Sequence, residues 1–186
     1  VKVIAKSEQT FSTTIMSNTT EGVEPFALQG NWVKVESAEL TGYVVDMYLL
    51  KYPPTLKDGI GLYGFMANLQ DAPIKVDTTF NGLDDGDEEA YTVFYRAENG
   101  MVLSEDYGFY GGNQAFLIPD ATIEEAFIIY SYYDPVEDSV LKKEDLYLIE
   151  QNDDRGLYLS PEDLCSLGFS YNEETGAVHI YWGCSC

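Results

Sequence analysis

Phe169-Ser170-Tyr171-Asn172-Glu173-Glu174-Thr175-Gly176-Ala177-Val178-His179-Ile180-Tyr181-Trp182 decides the class of this chain. Its two ends are rich in aromatic and β-branched residues, and between them lies a polar segment ending in glycine. That is the pattern of a β-hairpin whose loop needs one left-handed residue, which Gly176 supplies at no steric cost. Within the second arm, Val178 and Ile180 alternate with His179, so His179 is expected to face outward as an ordinary polar residue.

Similar short runs precede the hairpin. Trp32 to Leu40, Tyr43 to Tyr48, Gly59 to Leu69, Tyr91 to Arg96, Gly100 to Leu103, Ala115 to Ile118, Ala126 to Tyr133 and Leu146 to Glu150 all carry strand signals. Turn pieces such as Asn99-Gly100 and Pro119-Asp120 separate them. Many short strands at this spacing indicate a sandwich or a barrel, and the expected fold is mainly β, an antiparallel sandwich of immunoglobulin-like type. Thr122-Ile123-Glu124-Glu125 also has the form of a capping box, with Ile123, Phe127 and Tyr130 on one helical face. The β-propensity of Phe127 to Tyr133, and the stop at Asp134-Pro135, favour a strand there.

The organisation expected is a polar tether over residues 1–25, a β-sandwich over 26–150 and a small α+β unit over 151–186. In the last unit Ser160-Pro161-Glu162-Asp163 reads as a helix start. Serine can cap, proline fits the first helical position and the acids complement the helix dipole. Leu164 and Leu167 would form its apolar side and Gly168 its close.

The succession Leu157-Tyr158-Leu159, short helix, Leu167-Gly168, strand, Asn172 to Gly176 and closing strand resembles the second half of the copper amine oxidase N-terminal-like domain. The likeness covers about 30 of the 186 residues. Ser160-Pro161-Glu162 stands where that family usually has a Pro-Leu-Arg-like stretch. The resemblance implies a noncatalytic, extracytoplasmic stalk module without bound copper. Residues 26–150 look loosely like the immunoglobulin-like domains of bacterial lipoproteins.

Charge narrows the partners. The chain has 32 Asp and Glu against 10 Lys and Arg, a formal charge of -22. Nucleic acid binding rests on clustered cations that neutralise phosphates, so nucleic acid is not an expected partner, and anionic membrane surfaces are disfavoured likewise. No apolar run reaches the ~20 residues that span a bilayer. Fifteen Tyr and nine Phe supply enough apolar area for a folded core, which places the acids on the exterior. The chain begins without Met, and the Ser- and Thr-rich stretch from Ser7 to Glu24 would suit a tether behind a removed leader.

Three groups of residues are candidates for chemistry. Asp84, Asp85, Asp87 and Glu88 form the densest acidic run and offer the hard oxygen ligands calcium takes, although their spacing is not that of an EF-hand. Cys165, Cys184 and Cys186 lie near one another in sequence. Cys165 could bond to either of the other two in an exported protein, or the three could join His179 in a zinc site. Tyr107, Phe109, Tyr110 and Asn113 belong to a segment of rings, small residues and amides, the materials of a loop that stacks on a sugar or grips a peptide.

No nucleophile elbow, zinc-protease helix, phosphate loop or dinucleotide fingerprint occurs. The function expected is therefore that of an exported or surface-anchored binding module, without enzymatic activity, whose partner is a protein or glycan. The alternative is a carbohydrate-active hydrolase using paired carboxylates.

Overall fold

The computed structural model describes residues 1–14, 27–52, 61–70, 72–83, 89–108, 113–133, 147–151, 157–160 and 165–184. The chain is mainly β, as expected, with two antiparallel sheets. Strands β1 (Lys2–Thr14), β2 (Ala27–Glu36) and β3 (Thr41–Val45) form the smaller sheet in chain order. The larger contains β4 (Lys75–Leu83), β5 (Glu89–Arg96), β6 (Val102–Tyr107), β7 (Asn113–Pro119), β8 (Tyr147–Gln151), β9 (Leu157–Ser160), β10 (Cys165–Asn172) and β11 (Ala177–Cys184). Its order is β4-β5-β6-β7-β11-β10-β9-β8. Among the described residues there are also two α-helices, α1 (Leu62–Asn68) and α2 (Ile123–Tyr133).

The β10–β11 hairpin forms as its sequence predicts. Asn172 accepts hydrogen bonds at Oδ1 from the backbone N–H groups of Glu174 and Thr175, both at 3.0 Å, and Gly176 takes φ 66°. An Asx-type turn thus starts the loop and a left-handed glycine ends it. β11 also pairs with β7, from Ala177 opposite Pro119 to Gly183 opposite Asn113. Residues on both sides of the boundary expected at 150 therefore share one sheet.

Four local expectations are corrected. The segment assigned to a tether is a strand over Lys2–Thr14, where Val3 sits opposite Val35 and Phe11 meets Trp32 edge-on at 6.2 Å. Its threonines suit an extended backbone, and the strand pairs with β2 along its length. The strand expected within Gly59 to Leu69 is instead α1, because Leu62, Phe65, Met66 and Leu69 recur at helical spacing and all contribute to the core.

The strand expected over Phe127 to Tyr133 is the C-terminal part of α2. Here the capping box wins: Thr122 Oγ1 accepts from Glu125 N at 3.2 Å, and Glu125 Oε2 accepts from Thr122 N at 2.9 Å. Ile123, Ala126, Phe127 and Tyr130 are buried on one face. The helix expected from Ser160 through Leu167 is replaced at both ends by strand, since Ser160 closes β9 and Cys165 opens β10. Leu167 and Phe169 are buried two residues apart, the period of a strand.

A single hydrophobic cluster unites the elements. One face of the large sheet contributes Leu103, Phe116, Ile118, Leu167, Phe169, Val178 and Ile180. The helices cover it with Phe65, Met66, Phe127, Ile129 and Tyr130, and Phe65 meets Phe116 edge-on at 6.2 Å. The smaller sheet reaches the same cluster through Leu28 and Val45, joined by Met47 from the 3-10 turn Asp46–Tyr48. Burial of each large side chain is worth roughly 1.5 to 3 kcal/mol against exposure, so this cluster dominates the stability.

Asp46 fixes that turn against β2. Its Oδ1 accepts from Asn31 N at 2.7 Å, and Lys6 Nζ lies 3.5 Å from Oδ2. Partial burial pushes the Asp46 carboxyl up, but the Asn31 hydrogen bonds and the Lys6 charge outweigh it and hold the group below its ordinary value.

Candidate functional site

The helices cover only part of the large sheet's inner face. Directly opposed residues in antiparallel strands project to the same side, so register alone defines what the rest presents. Phe80, Tyr91 and Tyr107 form one cross-strand row, and Val76 and Tyr95 lead a second that continues into buried Leu103 and Phe116. Between them, Val93, Glu105 and Gln114 form a third.

This uncovered region is aromatic and open. Tyr91 and Tyr107 stack with ring centroids 5.1 Å apart and planes inclined by 14°. Tyr63, from α1, stands edge-on to Tyr95 at 5.1 Å and 73°. Val76 is 56% exposed, Phe80 61%, Tyr63 47% and Tyr107 41%, so several large apolar groups remain in water on one surface. A contiguous exposed patch of this kind marks a place of contact, unlike scattered single side chains.

At its centre is Glu105. Its Oε2 accepts from the Tyr107 hydroxyl at 2.7 Å and from the Tyr95 hydroxyl at 3.3 Å. Its Oε1 accepts from Gln114 Nε2 at 3.1 Å. Three donors from β5, β6 and β7 therefore hold one carboxylate, and through it the orientation of two rings. The hydrogen bond to Glu105, with partial burial and the carboxylate's charge, pushes the Tyr107 phenol up to about 12. Partial burial, followed by the Glu105 charge, also raises Tyr95. Both hydroxyls stay protonated across the ordinary pH range, which keeps the face chemically constant.

Of the residues singled out in the sequence, Tyr107 belongs to this face. Asn113 does not: it stands opposite Gly183, in alternation with buried Phe116, and so belongs to the other side of the sheet. Phe109, Tyr110, Asp84, Asp85, Asp87, Glu88 and Cys186 lie outside the described residues. The backbone register sets Cys165 opposite Cys184, while His179 lies between Leu117 and Ser170, several positions along β11. Among the described residues no cluster of three His, Cys, Asp or Glu side chains could hold a metal ion. Nor is any described helix long and apolar enough to cross a membrane.

Sequence reasoning missed Tyr63, Tyr91, Tyr95 and Glu105. Tyr91, Val93 and Tyr95 do show the strand period, but only cross-strand register reveals that Glu105 and Tyr107 adjoin them. Comparison with known proteins finds no matching family model, no matching curated protein and no matching solved structure.

Proposed function

We propose that the chain is a noncatalytic binding module of an exported or surface-anchored protein, and that its ligand is a glycan laid across the Tyr63–Tyr91–Tyr95–Tyr107 face. The stacked Tyr91–Tyr107 pair, half-buried at Tyr91 and exposed at Tyr107, carries this reading. A sugar ring has an apolar C–H face and a polar rim. Aromatic side chains match the first, while the phenol, amide and carboxylate groups of Tyr107, Gln114 and Glu105 match the second.

The electrostatics favour a neutral glycan. With 32 acids against 10 cations, an anionic polysaccharide would meet repulsion over most of the surface. The rings are held by neighbouring strands and by Glu105, so little side-chain freedom is lost when a ligand settles on them. The acid-rich exterior suits a protein that must stay dispersed at high dilution outside a cell.

The test is a screen of neutral oligosaccharides, followed by calorimetric titration of the best binder. Tyr107→Ala should weaken binding by about tenfold, equivalent to ~1.4 kcal/mol. Glu105→Gln should weaken it less, since the amide retains one acceptor. A blank screen with the wild-type protein, or a Tyr107→Ala variant that binds equally well, would remove the glycan reading.

A further inference from the structure

The face of the large sheet turned away from the helices carries a separate concavity. Register aligns Phe94, Ser104, Ala115 and Tyr181 in one row across β5, β6, β7 and β11, and Asp106 follows Ser104 on the same side. Ser104, Ala115 and Gly183 are small, and between them opens a groove of about 210 Å³ bordered by Asp106, Asn113 and Tyr181. Gly183 is required for this shape, because a Cβ there would collide with the Asn113 side chain.

Asp106 is fixed from behind. Asn81 Nδ2 donates to Thr92 Oγ1 at 2.8 Å, which leaves the threonine's own proton for Asp106 Oδ1 at 2.6 Å. Thr92 is buried, so the hydroxyl at the middle of the relay is shielded, while Asn81 is exposed and Asp106 half-buried. One of the roughly four acceptor positions of the carboxylate is thereby used, and others are left for a ligand.

We infer that this groove binds a small organic cation, an alkylammonium or guanidinium group, between the Asp106 carboxylate and the Tyr181 ring. The lining includes one carboxylate residue, two amide residues, a tyrosine and a tryptophan, with no Lys or Arg. Its volume lies below the roughly 300 Å³ at which drug-sized pockets begin, so it fits a head group and not an extended molecule. The same face already shows how such a group is held. The Arg96 guanidinium lies 3.4 Å from Asp77 and 4.9 Å from the Phe94 ring centroid, also a carboxylate and an aromatic side chain. A net charge of -22 raises the local concentration of cations around such a site.

The experiment is a nuclear magnetic resonance titration of the full chain with agmatine, with the capped peptide Gly-Arg-Gly, and with erythritol as the neutral control. Saturable shifts centred on the Ser104, Ala115 and Gly183 amides are expected with the two cations and not with erythritol. Asp106→Asn should weaken them at least tenfold. Ser104→Val, which narrows the groove without touching the Asn81–Thr92–Asp106 relay, should do the same and guards against a folding defect in the first variant. Tighter binding of the peptide would identify a guanidinium presented on a chain, and equal or tighter binding of agmatine a free small cation; either supports the site. Shifts spread over the acidic surface and abolished by salt, an equal response to erythritol, or unchanged binding in both variants would overturn it.

Discussion

Tyr181 lies across Gly168, its directly opposed neighbour in the β10–β11 ladder, so closely that a Cβ at 168 would collide with the ring unless the ring shifted. An aromatic ring covering a cross-strand glycine restores the packing that the glycine itself cannot supply. The same residue lines the groove that also borders Asp106.

Gly168→Ala should therefore destabilise the fold by about 1 to 3 kcal/mol, the usual range for overpacking. Urea denaturation measures it. In the double variant with Tyr181→Ala the penalty of the alanine at 168 should largely disappear. A full penalty in both backgrounds would place the strain elsewhere.

Glu105→Gln should bring the Tyr107 phenol down from about 12 toward its ordinary value near 10, because the anion that opposes phenolate formation is gone. Ultraviolet absorbance of phenolate during alkaline titration reads this, with Tyr107→Phe identifying the signal. The sign follows from a folded-state value raised above the unfolded one. The stabilisation is fully present below about pH 10 and is lost as the pH climbs through 12.

Thr122→Ala removes one half of the capping box at α2 and should cost about 1 kcal/mol. Thr122→Ser keeps the acceptor and should cost less. Thermal unfolding followed by circular dichroism separates the two, and equal losses would mean that the methyl group, not the oxygen, matters.

Backbone register predicts that oxidation joins Cys165 to Cys184, since opposed strand residues fall within the Cα separation a disulfide spans. Nonreducing peptide mapping checks it. Recovery of a Cys165–Cys186 linkage instead would show that the last residues fold back past the end of β11.

What could be read in the sequence was what short-range chemistry determines. The hairpin from Phe169 to Trp182 was legible because Asn172 and Gly176 specify its loop locally. The β class followed from strand-like runs that recur along the chain. Helix and strand were confused at Phe127 to Tyr133, where bulky β-formers occupy helical positions and only the Thr122–Glu125 pair tips the balance. Tyr107 was visible as an aromatic beside glycine, yet its partners Tyr91, Tyr95 and Glu105 were not. Which strand neighbours which is decided by long-range pairing, and a one-residue slip would send every one of these side chains to the opposite face.

The position of β11 between β7 and β10 has a consequence for how the molecule is made. The meander β4–β7 and the group β8–β10 emerge first from a ribosome, but they are bridged by a strand that emerges after both. Each half must wait with an open border able to accept a foreign strand. Completion of the large sheet is thus a late event, and a nascent chain halted before Ala177 would hold two unjoined platforms in place of one.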